Sequence, residues 1–167
     1  MRRGLALLAA AALLAGGCGY RMGFRPVAGA SAVALEVFDN TTDRRELELE
    51  LTAAVARELL RRTGLALVRS PAEADLVLRG RIERFDERVT VEGRRDEVLA
   101  ASARMRVRVR LERPGGELVR ERVLEESADF GGPGLGGGPL ARTAELAQVQ
   151  RELFELLAER IVMVLEQ

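Results

Sequence analysis

Residues 103–113 read ARMRVRVRLER, with Arg104, Arg106, Arg108 and Arg110 alternating with Met105, Val107, Val109 and Leu111. Side chains two residues apart share a face only in extended backbone, so this stretch is a strand with one apolar and one guanidinium face. The apolar set must look into a core and the arginines away from it. What meets that outer face decides what the strand is for.

The neighbouring segments supply the rest of a layered fold. SAVALEVF (31–38) reads as a strand, and DNTTD stops it. Asn40, Thr41 and Thr42 offer N-cap oxygens for a helix from about Asp43 to Thr63, whose apolar stripe is Leu47, Leu51, Val55 and Leu59. Asp43, Glu46, Glu48 and Glu50 crowd its start and Arg57, Arg61 and Arg62 its end, matching the helix dipole. Gly64 is expected to provide a left-handed stop. LALVR (65–69) is a short strand, PAEAD a turn, and LVLRGRIERF (76–85) opens a long strand whose alternation slips near Arg84 and Phe85, the mark of a bulge. GRRDE (93–97) is a polar turn. Pro114-Gly115-Gly116 closes a hairpin from the arginine strand onto ELVRERVLEE (117–126). Residues 130–139 form a loop rich in glycine and proline, and Leu146, Val149, Leu153, Leu156, Leu157, Ile161 and Val164 trace a long amphipathic helix from about Ala141 to Glu166. The expected fold is α+β: two helices packed on one face of a mostly antiparallel, mixed four- to five-stranded sheet, as one domain over residues 31–167.

Composition removes most enzyme templates. The 26 basic residues are all arginine and histidine is absent, which excludes histidine base chemistry and histidine metal ligation. With one cysteine there is neither an internal disulfide nor a cysteine metal cluster. Glu125-Glu126 has no nucleophile or second motif beside it, and the glycine loop lacks the lysine and Ser/Thr of a phosphate-binding loop. No catalytic residue, metal site or cofactor is expected. Nucleic acid is not expected as a partner either, because aromatics for stacking make up only 4% of the chain.

The start MRRGLALLAAAALLAGGC has a basic opening (Arg2, Arg3), an apolar run from Leu5 to Ala15 and small residues before Cys18. That run is well short of the ~20 residues a membrane span needs, so residues 1–17 read as a cleaved export signal. Leu14-Ala15-Gly16-Gly17-Cys18 resembles a bacterial lipoprotein processing site, with Ala15 where leucine is commonest. That resemblance implies acyl and diacylglycerol chains on Cys18, a tether over residues 18–30, and, with Gly19 rather than aspartate next, sorting to the outer membrane.

Four stretches together resemble the lipopolysaccharide-assembly lipoprotein family, LptE: Cys18-Gly19-Tyr20, VFDNTTDRRELELELTAAVARELLRRTG (37–64), SPAEADLVLRGRIERF (70–85) and the closing helix. The resemblance implies a non-enzymatic subunit held at the outer membrane by its lipid and facing the periplasm. It also implies a place inside a β-barrel partner, LptD, where the subunit supports barrel assembly and the delivery of lipopolysaccharide. Residues 38–64 also resemble lipoprotein activators of penicillin-binding proteins, which gives the alternative: a role in cell-wall synthesis.

Two readings of the arginine face stay open. Residues 79–113 hold eleven arginines against seven acids, so the middle of the sheet is basic by sequence. Guanidinium forks suit phosphates and carboxylates, which makes Arg104, Arg106, Arg108 and Arg110 candidate contacts for lipopolysaccharide or for acidic groups of the barrel. Alternatively Glu117, Glu121, Glu125 and Glu126 pair with them across the hairpin. A two-residue Pro114-Gly115 turn would put Arg108 opposite Glu121, with Arg106 and Arg110 facing Val123 and Val119.

Overall fold

In the computed structural model, which describes residues 24–92, 98–131 and 139–166, the alternation of the arginine strand is carried out in full. Met105, Val107, Val109 and Leu111 are completely buried, while Arg104, Arg106 and Arg110 are exposed and Arg108 is half-buried. The chain order is β1 (Ala32–Leu35), β2 (Asp39–Asn40), α1 (Leu47–Arg62), β3 (Ala66–Val68), β4 (Leu76–Glu92), β5 (Val98–Glu112), β6 (Leu118–Gly131) and α2 (Pro139–Met163). The strands form a single mixed sheet in the order β3-β1-β4-β5-β6, and β2 pairs with β4 beyond the end of β1. The short pairings of β1 with β3 and of β1 and β2 with β4 are parallel; the long β4–β5 and β5–β6 ladders are antiparallel.

Both helices lie on the face opposite the arginines. Leu47, Leu51, Val55 and Leu59 of α1 and Val149, Leu153, Leu157 and Ile161 of α2 join Ile82, Met105, Val107 and Val109 in one buried cluster. The side chain of Leu146 and the 93–97 turn lie outside the described residues. Gly80 makes room for Phe38, itself buried at 2% exposure: a Cβ there would collide with carbons of its ring.

Several local expectations are corrected. Strand 31–38 is shorter than read: β1 ends at Leu35, and parallel pairing with β4 resumes at Asp39-Asn40 as β2, after one residue more than β4 has between Leu78 and Arg81. The helix begins at Leu47 rather than near Asp43. Its N-cap position is Glu46, in the left-handed region (φ 69°) and with no capping side chain. Asn40 and Thr42 are engaged elsewhere. Asn40 Oδ1 accepts from the amide of Thr42 (3.0 Å), and Asn40 Nδ2 donates to the Arg44 carbonyl (2.6 Å) and to Glu48 Oε2 (2.8 Å). They build a side-chain-stabilised turn that carries β2 into α1. The left-handed stop at Gly64 is absent; α1 ends on Thr63 in extended backbone, whose amide and hydroxyl both donate to the Leu59 carbonyl. The glycine-rich stretch is also shorter than read. β6 runs through Gly131 and α2 opens at Pro139, leaving 132–138 outside the described residues.

Candidate functional site: the arginine face

The outer face of the sheet brings arginines of adjacent strands into register. Arg79 lies opposite Arg110, Arg81 opposite Arg108, and Arg84 opposite Arg106. Directly opposed like charges destabilise a ladder, so this face needs acids between its rows. A register shift between Ile82 and Arg84 supplies the central one. The bulged residue is Glu83, which accepts from Arg108 Nε (2.6 Å) and pairs with Arg106 Nε (3.2 Å). The sequence signalled a bulge by its broken alternation, but nothing in it marked Glu83 as the residue that holds two arginines.

The remaining arginines are met from both sides. Arg79 pairs with Glu36 (2.9 Å) and Arg81 with Asp39 (3.1 Å), residues that flank the break between β1 and β2. Arg84 meets Asp86 (2.5 Å), and Arg110 meets the buried Glu112 (3.2 Å). Across β6, Glu121 accepts from Arg108 Nη1 at 2.6 Å and approaches Arg110 at 3.7 Å, and Glu125 lies 3.6 Å from Arg104. Arg79, Arg81, Arg84 and the four arginines of β5 are thus matched one for one by Glu36, Asp39, Glu83, Asp86, Glu112, Glu121 and Glu125. The hydrogen bonds that Arg108 donates to Glu121 and then to Glu83 raise the pKa of its guanidinium above the ordinary value.

The hairpin register differs from the two-residue-turn expectation. Arg113 exchanges backbone hydrogen bonds with Gly116 and Glu117, so the connection holds Pro114, Gly115 and Gly116, and Gly116 takes positive φ (86°). A further shift falls between Leu111 and Glu112. Together they place Arg110 opposite Glu121, Arg108 opposite Val123, Arg106 opposite Glu125 and Arg104 opposite Ser127. Arg108 reaches Glu121 on the diagonal instead.

Arg104 is the most loosely held of the β5 arginines. With Arg84, Arg106, Asp86 and Glu125 it lines a small cavity of about 80 Å³ at the surface. Cys18, the other candidate site residue, lies outside the described residues. Among the described residues no helix is long and apolar enough to cross a membrane, and no acidic or sulfur-bearing cluster has metal-ligand spacing.

A family model described as LptE, lipopolysaccharide-assembly, matches residues 30–165, from the turn before β1 to the end of α2. The chain belongs to the LptE family. The role that comes with LptE membership is in lipopolysaccharide assembly. No curated protein matches the chain. Among solved structures, rare lipoprotein B from Shewanella oneidensis is similar at 18% identity and TM-score 0.55, covering 78% of this chain and 91% of that one. A hypothetical protein from Chlamydia trachomatis is similar at 17% identity and TM-score 0.55, covering 81% and 97%. The protein XCC0632 from Xanthomonas campestris has TM-score 0.63 at 11% identity, covering 85% and 86%. At such identities these likenesses speak for the fold alone.

Proposed function

We propose that the protein is a non-enzymatic, lipid-anchored subunit of the outer membrane that works with the β-barrel partner LptD in placing lipopolysaccharide in that membrane. The observation that carries the reading is the LptE match over residues 30–165, which spans both helices and all six strands. Removal of residues 1–17 leaves Cys18 as an acylated first residue, and the domain faces the periplasm. That one neighbour of similar fold is named a lipoprotein agrees with this placement. The subunit acts by packing against the barrel and supporting its assembly.

The arginine face is the surface for anionic groups, either of lipopolysaccharide or of the barrel wall. Its charges are already balanced, so a ligand phosphate must exchange with a glutamate rather than fill an empty site. Arg104, 55% exposed at its side chain and 3.6 Å from its acid, exchanges more readily than Arg108, which is held by two acids at 2.6 Å. A guanidinium has five donors, so Arg106 and Arg110 retain hydrogen-bonding capacity beside their present partners.

Capture through an affinity tag at the C-terminus, from detergent-solubilised envelopes, tests the assignment. A large outer-membrane barrel protein is expected to co-purify. Recovery of a penicillin-binding protein in its place would move the protein to the cell-wall reading.

A further inference from the structure

The sheet ends on two unlike edges. β3 is three residues long, whereas β6, at the other edge, has 14. From Arg120 to Gly131 the pairing of β6 with β5 runs without a shift, and β6 contains neither proline nor lysine, two common means of blunting an edge. The backbone groups of alternate residues in such a ladder point to opposite sides. Arg160 Nη1 of α2 donates to the Glu125 carbonyl from outside the ladder (3.3 Å). The amides and carbonyls of Glu121, Val123, Glu125, Ser127 and Asp129 therefore point away from β5. Arg122 covers the Glu121 carbonyl (2.8 Å) and Arg160 that of Glu125. Among the described residues nothing covers the carbonyls of Val123 and Ser127, and Val123, Ser127 and Asp129 are all exposed. Arg120 and Glu126, on the helix side of β6, are engaged by α2: Arg120 donates to the carbonyls of Val164 and Glu166, and Glu126 pairs with Arg160.

We infer that the open edge of β6 takes up an extended, basic segment of a partner chain as a further strand. The inference rests on the barrel partner of the proposed function. A closed barrel wall has no free strand to give, so the segment belongs to a loop or terminal arm of that protein lying in the lumen. Charge selects a basic strand. On the outer face of the sheet β6 presents Glu121, Val123, Glu125, Ser127 and Asp129, a row with acids and no base, beside the arginine row of β5. Asp129 has no ion-pair partner among the described residues, in contrast to Glu121 and Glu125. Cross-strand neighbours of opposite charge stabilise a sheet and like charges oppose it, so the next row is basic. The same rule disfavours a second copy of this chain, because two β6 edges joined together would set one acidic row beside another.

A photo-crosslinking residue, p-benzoylphenylalanine, would replace Val123, Ser127 or, for comparison, Val37, which is 61% exposed between β1 and β2. Each full chain would be irradiated in the envelopes of the cells that make it, and the crosslinked peptides sequenced by mass spectrometry. Positions 123 and 127 are expected to reach one basic segment of the barrel partner at points about four residues apart, as neighbouring strands require, and position 37 not to reach it. Val123→Pro removes an amide that points outward and leaves the bonds to β5 in place. It is expected to cut the yield from position 127 by about tenfold or more while the melting temperature stays near that of wild type. Where that variant fails to fold, Asp129→Arg, at an exposed position, is expected to cut the yield in the same way by repelling a basic strand. Unchanged yield in the folded variant, contact points scattered over several segments, crosslinks to a second copy of this chain, or none from 123 and 127 overturns the inference. Recovery of the barrel protein through the C-terminal tag would then leave the proposed function standing. Crosslinks to a penicillin-binding protein overturn the reading on which the inference rests.

Discussion

One carboxylate oxygen of Asp75 holds the first turn of the sheet. Asp75 Oδ2 accepts from the Ser31 amide (2.7 Å), the Ser31 hydroxyl (2.8 Å) and the Ala32 amide (3.0 Å). These bonds, the Ser31 amide foremost, hold its pKa below the usual carboxylate range. A depressed pKa contributes stability that is complete above the unfolded value of about 4 and disappears as pH falls through the folded value. Asp75→Asn is therefore expected to lower the melting temperature at neutral pH, and the gap to wild type to close as pH is taken below about 4 in thermal melts. A gap that stays constant through the acid range would remove Asp75 as its cause. In the sequence Asp75 was legible as part of a turn, PAEAD. Its tie to Ser31 was not, since the partner is 44 residues away and only the parallel pairing of β1 with β4 brings them together. The same holds for Asn40: a helix-capping residue by type, it sits at the end of β2, paired with Ile82 of β4, and there its side chain holds a turn with Thr42 and Glu48.

Among the elements, the β4–β5 ladder shows how charge is managed on a sheet. Its inner face was readable residue by residue from the period of two, and its outer face only as a set of arginines. Which acid meets which arginine depends on register, and register was decided by irregularities at Glu83, between Val89 and Glu92, and between Leu111 and Glu112. A bulge adds a residue without changing the composition of the strand, so the pattern that marks the strand leaves its pairing open. Glu83→Gln is expected to lower thermal stability, since Arg106 and Arg108 would then face Arg84 and Arg81 without an acid between the rows. Because the face is partly exposed, the difference from wild type should narrow as salt is raised toward about 1 M, where screening is short-ranged. Equal differences at low and high salt would show that the loss comes from packing of the bulge rather than from charge.

For the whole molecule, one face of the sheet is covered by α1 and α2, and the other is left as the charged surface that function is assigned to. If that surface meets lipopolysaccharide, replacing Arg104, Arg106, Arg108 and Arg110 together by glutamine should weaken binding to the lipid-free domain at low salt by about tenfold or more. Unchanged affinity in a variant that still unfolds cooperatively would assign the arginines to cross-strand pairing alone. The sequence by itself determined the parts whose cause is local: the two-residue period of β5, the apolar stripes of both helices, and hence an α+β layer with guanidinium groups outside. It also limited the chemistry, since a chain without histidine and with one cysteine lacks the groups most active sites use. Only the tertiary structure decided the hairpin register, the role of Glu83, the balance of charges on the outer face and the open edge of β6. Each of these depends on contacts between residues far apart in the chain, whose positions are set by how turns close and layers pack rather than by any neighbour in sequence.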